Sequence, residues 1–336
     1  MRAFVVNGPG QAGVEDVPAP VATDGEVVVD VQRAGVCGTD MEIFTGEMAY
    51  LHDGFASYPM RIGHEWMGTV SAVGPGVDPR WVGRRVTGDT MLGCGVCARC
   101  RSGRQHLCEF RTEIGVRAGR PGALAEQVAV PAFALHALPD TVDDTLGALV
   151  EPGANALRAV RGADLTEGDR VLVLGPGTIG LLAALFARAA GAEVHLLARS
   201  ERSIAFARSL GFDGTWTEEN LPDLPWDAVV DASNSTSLPA RAVDLVEPGK
   251  RVVFIGLSGT PSLLDSRAIA LKDLTVVGVL SGSPGLAPTI RAYADGDVDP
   301  RPLVAATVPL EGAAAVLAGE RPDGAGDGPK VHVGIR

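Results

Sequence analysis

Residues 169–211 read DRVLVLGPGTIGLLAALFARAAGAEVHLLARSERSIAFARSLG, and no other stretch narrows the possible folds as far. Residues 171–174 are a short apolar run rich in β-formers, as a strand buried on both faces requires. Gly175, Gly177 and Gly180 then give G-x-G-x-x-G, with Thr178 and Ile179 inside the motif, before an apolar helix running to about Ala190 and a second strand, EVHLLA. Downstream, DAVVDAS and KRVVFIGL read as further strands, with SIAFARSLG and LPARAVDLV as helices among them. Strands alternating with helices predict an α/β fold built on a doubly wound parallel sheet.

In that setting the glycine turn is a dinucleotide-binding element. Its glycines let the backbone approach a pyrophosphate, which sits at the positive end of the following helix. The end of the second strand discriminates between cofactors. An Asp or Glu there accepts hydrogen bonds from an NAD ribose, but here the position is Ala198, followed by Arg199 and Ser200. A carboxylate would repel a 2′-phosphate, whereas Arg199 and Ser200 can donate to one, which predicts NADP(H).

The N-terminal part reads differently, as short β segments with frequent Gly and Pro and no long helical period. It contains CGVCARCRSGRQHLC, with four of the five cysteines at Cys94, Cys97, Cys100 and Cys108. MRAFVVNGPG has no basic stretch followed by an apolar core, so no signal peptide is visible and a cytoplasmic location is expected. In that reducing setting, clustered thiols point to metal rather than disulfides. Four thiolates fill a tetrahedral zinc site and leave no vacancy for substrate, so this lobe, 93–109, reads as structural. The fifth cysteine, Cys37, needs partners from elsewhere. His64 and Glu65 in RIGHEWMGTV and Glu151 in GALVEPGANALRAV offer the mixed donors of a catalytic zinc with an open position.

The net charge, 29 − 41 = −12, disfavours nucleic acid and anionic membrane surfaces as partners. The longest uncharged run, 171–187, is too short and too Gly-broken to span a membrane.

Over nearly its full length the chain resembles the zinc-dependent medium-chain alcohol dehydrogenases. GVCGTD, IGHEWMGTV, VGRRVTGD, the four-cysteine lobe, GALAEQVAVP, EPGANALRAV and the glycine fingerprint occur in that family's order. The resemblance implies a GroES-like β-barrel catalytic domain at 1–154, a Rossmann cofactor domain at 155–288, and a return of 289–336 to the catalytic domain. It implies that Cys37, His64 and Glu151 bind the catalytic zinc, with Glu65 an exchangeable ligand, and that Cys94, Cys97, Cys100 and Cys108 bind a second zinc. Thr39 resembles the hydroxyl that takes the substrate proton, and Asn155 lies where the family contacts the nicotinamide side. At Glu42, where many relatives carry a histidine, a carboxylate can relay the proton, bind a hydroxyl-rich substrate or simply be solvated. CGTDMEIFTG and the long loop 45–61 look similar to the glucose dehydrogenase branch. The expected substrate is thus a secondary hydroxyl on a sugar, polyol or cyclitol. A simple secondary alcohol or threonine-like amino alcohol is the alternative, and a non-catalytic NADPH sensor a remote one. A homotetramer or homodimer is implied, with strands near 274–280 pairing across subunits. APTIRAYADG reads as helical, GERPDGAGDGPK at 319–330 as a Gly/Asp-rich loop, and KVHVGI, starting at Lys330, as a strand.

Overall fold

The computed structural model describes residues 1–335. Six strands lie side by side, all parallel, in the order Thr215–Trp216, Glu193–Leu197, Arg170–Leu174, Trp226–Asp231, Val246–Phe254 and Thr275–Gly278. Numbered along the chain this is 3-2-1-4-5-6, so the winding reverses between Arg170–Leu174 and Trp226–Asp231. Ligands of such sheets bind outside the strand C-termini at that reversal, and the glycine turn starts there. Val171 and Val173 face the helices Val150–Ala163 and Thr178–Ala189. Leu172 and Leu174 pack on the opposite face with Trp226, Val229 and the helix Leu238–Leu245. Burial on both faces is why 171–174 carries no polar alternation.

The antiparallel half is organised around the strand Glu26–Gly35. It pairs with Glu65–Val73 and Lys330–Gly334 and also with Gln127–Pro131, within a seven-stranded sheet. Its core holds Phe4, Val27, Val29, Val31, Trp66, Leu124 and Val130, supplied by alternating inward positions. A further sheet of Gln11–Asp16, Arg2–Gly8 and Met60–Arg61 stands beside it.

The expected divisions at 154/155 and 288/289 each cut a helix, Val150–Ala163 and Leu286–Asp295. These two helices pack together in the core of the parallel half, with Leu286, Ile290 and Tyr293 buried beside Ala154 and Ala156. The chain therefore leaves that half after Asp295 and rejoins the antiparallel sheet at Val304–Pro309 and Lys330–Gly334. Lys330 opens the last strand, as KVHVGI suggested, and is 3% exposed. No helix among the described residues is long and apolar enough to cross a membrane.

Candidate active site

Three segments of the antiparallel half meet at one point. The strand Glu26–Gly35 leads into Cys37, the strand Glu65–Val73 starts directly after His64, and the helix Gly38–Thr45 begins beyond Cys37. Buried Asp40 ties them together. Its Oδ2 accepts from the Cys37 N–H at 2.9 Å and its Oδ1 from the Gly63 N–H at 3.2 Å. The helix needs such an acceptor, because its first N–H groups have no partner within it. Oδ1 also lies 3.6 Å from His64 Nδ1, and Thr90 Oγ1 donates to the His64 carbonyl at 3.2 Å.

With these segments fastened, the ligand atoms of Cys37, His64 and Glu65 lie within 4.8 Å of one another. Glu65 pairs across the sheet with Gly35, and a Cβ at residue 35 would meet Glu65 Oε2 at 2.1 Å, so the carboxylate occupies the space a side chain would need. Lys330 Nζ donates to both Glu65 oxygens, at 2.6 and 2.8 Å, and to Val36 O at 2.9 Å. Glu151, in the first turn of Val150–Ala163, is buried nearby but outside the 4.8 Å set. Asn155, one turn on, donates to Glu151 Oε1 at 2.8 Å and to its carbonyl at 3.1 Å.

The electrostatics of this centre call for a cation. Burial pushes Glu151 up to about 7, with His64 opposing the rise and Glu65 adding to it. Burial opposes charge on His64, yet Asp40 and Cys37 beside it carry the imidazole well above its ordinary value. A thiol and three carboxyl groups converge here, with Lys330 already committed to Glu65. Sulfur, imidazole and carboxylate are the donor types of a catalytic zinc.

Thr39 is half-buried in the first turn of Gly38–Thr45. Glu42 follows, largely solvent-facing, with crowding by the protein and the charge of Glu47 raising its carboxyl above the ordinary range.

In the parallel half, each glycine of the fingerprint has a separate reason. Gly175 has φ +87°, a turn closed to most side chains, and a Cβ on Gly180 would lie 2.0 Å from Gly175 O. A Cβ on Gly177 would meet nothing within 4 Å, and its φ of −78° suits any residue. The third glycine thus permits close helix–strand packing, while the second leaves a face of backbone open. Thr178 and Ile179 begin the helix Thr178–Ala189, whose first N–H groups lack intrahelical partners. At the end of Glu193–Leu197, Ala198 is buried while Arg199 and Ser200 are exposed. Ser200 also caps the helix Glu201–Ser209, its Oγ accepting from the Ser203 N–H at 3.2 Å.

The four-cysteine lobe has little regular structure, only Ala98–Arg101 and Gln105–Leu107. The Cys94–Cys100 and Cys97–Cys108 sulfur separations are 4.0 and 3.8 Å. A tetrahedral zinc–thiolate site has edges of about 3.8 Å, whereas a disulfide is about 2.05 Å. The N–H groups of Val96 and Cys97 draw Cys94 down to about 6, and desolvation with the neighbouring sulfurs pushes Cys100 up to about 12.

Lys330 and Asp89 escaped the sequence reading. A lysine opening an otherwise apolar strand was the only visible sign of the first.

The parallel sheet with its glycine turn, set against a centre of thiol, imidazole and carboxylate, defines a metal-dependent, two-domain dehydrogenase. The family profile described as alcohol dehydrogenase GroES-like domain matches residues 23–140, and that described as zinc-binding dehydrogenase matches residues 178–295. The chain belongs to the zinc-dependent medium-chain dehydrogenases, with a GroES-like and a Rossmann domain. It is 32% identical over 292 residues to the L-threonine 3-dehydrogenase of Sinorhizobium medicae, covering 83% of each chain. A crystal structure of the alcohol dehydrogenase rspB from E. coli CFT073 with NADH superposes with TM-score 0.91 at 28% identity, covering 100% of this chain and 99% of that one. A zinc-binding dehydrogenase of Sinorhizobium meliloti 1021 bound to NADP gives TM-score 0.89 at 28% identity, over 99% of both.

Proposed function

We propose that the chain is an NADP(H)-dependent oxidoreductase that interconverts a secondary hydroxyl and a ketone or lactone on a sugar, polyol or cyclitol-like substrate. The observation that carries this reading is the convergence of Cys37, His64 and Glu65 within 4.8 Å, with Glu151 buried beside them. Cys37, His64 and Glu151 would hold the catalytic zinc, with Glu65 free to exchange on and off, and the four-cysteine lobe would hold a second ion. When bound, zinc would supply Lewis acidity that lowers the substrate hydroxyl's pKa, and the dinucleotide would supply the hydride acceptor or donor. Thr39 takes the hydroxyl proton, and Glu42, with its raised carboxyl pKa and outward placement, passes it to solvent. Asn155, which sequence resemblance assigns to the nicotinamide side, also donates through Nδ2 to Glu151 and would hold that carboxylate in position.

The preference for NADP rests on residues 198–200. No carboxylate stands at the strand end, and exposed Arg199 and Ser200 can meet a 2′-phosphate. The two solved relatives carry NADH and NADP, so the fold alone does not choose between them. The polar loop 45–61 supports a hydroxyl-rich substrate. The threonine dehydrogenase relative supports a second reading, an amino alcohol.

The test is a panel of polyols, aldoses, L-threonine and short secondary alcohols, assayed with NADP and NAD by reduced-cofactor absorbance. Turnover of polyols or aldoses with NADP supports the proposal. Turnover of threonine alone establishes the second reading, and a response confined to short alcohols overturns both. A homodimer or tetramer is also proposed, supported by the exposed apolar edge strand Thr275–Gly278 with Val276 and Leu280. A monomer mass in sedimentation would refute it.

A further inference from the structure

A buried contact joins the four-cysteine lobe to the dinucleotide side of the cleft. Asp89 follows the strand Arg85–Gly88 and is 5% exposed. Its Oδ2 accepts from Gln105 Nε2, in the lobe, at 3.0 Å. Its Oδ1 accepts from Ser283 Oγ at 2.6 Å, and Ser283 lies in the segment after Thr275–Gly278, the last strand of the parallel sheet.

Both donors are firmly placed. Gln105 lies against the thiolates: a Cβ on Gly93 would come within 2.8 Å of Gln105 Cβ and 2.6 Å of Cys100 Sγ. The segment 280–285 lies on the first turns of Val150–Ala163, and Arg158, further along that helix, donates to the Leu280 and Ser281 carbonyls. A Cβ on Gly282 would come within 3.0 Å of Glu151 O, so this segment touches the turn that carries Glu151. On the other side, Thr90, next to Asp89, donates to the His64 carbonyl. A buried carboxylate is costly without donors, and hydrogen bonds to an ionised acceptor are stronger than neutral ones. Burial raises the Asp89 pKa while Ser283, Gln105, His136 and Arg158 favour the ionised form.

We propose that Asp89 is a positioning residue that couples the four-cysteine lobe to the segment 280–285 and, through it, to the Glu151 turn. The lobe then contributes to alignment of the cleft as well as to its own fold. Such coupling is reciprocal in binding free energy: whatever steadies 280–285 tightens metal binding in the lobe, and the converse. Only the cofactor arm of the following test rests on the dehydrogenase reading.

The experiment follows chelator extraction of cobalt substituted into the lobe, through its thiolate-to-metal absorption. Ser283→Ala alters no lobe residue, yet it should speed extraction by at least about fivefold, and Asp89→Asn by a similar factor. Ser209→Ala, whose hydroxyl donates to Phe206 O within the helix Glu201–Ser209, should leave the rate unchanged. Saturating NADP should slow extraction in the wild type, and Ser283→Ala should lose that protection. Wild-type extraction rates in both Ser283→Ala and Asp89→Asn, or equal acceleration in Ser209→Ala, would overturn the proposal. If direct titration shows that no dinucleotide binds, the dehydrogenase reading fails while the cofactor-free rates still decide the coupling.

Discussion

The two cysteine sites place the same element in opposite settings. At the lobe, four thiols crowd together with one short helix and one 3-10 turn to hold them, and Cys94 is exposed. At the other centre, Cys37 emerges from a ten-residue strand and is anchored through its N–H by Asp40. The lobe's geometry depends on whatever binds the sulfurs, whereas the centre's is set by the sheet. On the proposed reading, a metal at the first site would be a folding component, and at the second a reagent delivered to a finished frame.

Exchanging one cysteine at each site would break this comparison most directly. Cys37→Ser should cut kcat by at least about a thousandfold with little change in Tm. Cys97→Ser should remove one of two zinc ions per chain by metal analysis and lower Tm by about 5–10 °C in calorimetry. Equal Tm losses in the two variants would show that both sites are structural.

Next in size is the buried pair. Lys330→Met leaves the Glu65 carboxylate, 1% exposed, without its cation, and should cost about 3–5 kcal/mol in urea unfolding. A loss near zero would mean that other groups hold the Glu65 carboxyl in place.

Glu151 sharpens the contrast through pH. Its pKa near 7 in the folded protein exceeds the ordinary 4.5, so the folded state keeps this proton to higher pH than the unfolded chain. In metal-free protein its contribution is fully present below about pH 4.5 and lost as pH rises through about 7, a change of about 3 kcal/mol. Denaturant unfolding of chelated wild type against Glu151→Gln between pH 5 and 8 isolates that slope, which zinc should abolish. The smallest effect belongs to the exposed Arg199, where Arg199→Ala should raise KM for NADP by about tenfold and leave KM for NAD unchanged.

What the sequence revealed was local. The strand, glycine turn and helix at 170–189 and the thiol spacing at 94–108 are each written within about twenty residues, where periodicity and ligand spacing act directly. The helix Gly38–Thr45 was not legible, because TDMEIF has no clean apolar stripe and its start depends on Asp40 closing back onto Cys37. Lys330 pairs with Glu65 across 265 residues, and Asp89 with Ser283 across 194, contacts that no window along the chain contains. The contact between Asn155 and Glu151, one helical turn apart, required the side-chain geometry. The helix Leu286–Asp295 was legible as a helix, while its packing against Val150–Ala163, far away along the chain, was not.

The open surroundings of Gly177 imply that folding places no demand on that position. An alanine there would have an ordinary backbone angle and no clash, so the chain should fold, load its metals and keep its thermal stability. Only a molecule brought within van der Waals reach of that Cα would register the added methyl. The reason for glycine at 177 therefore lies outside the polypeptide.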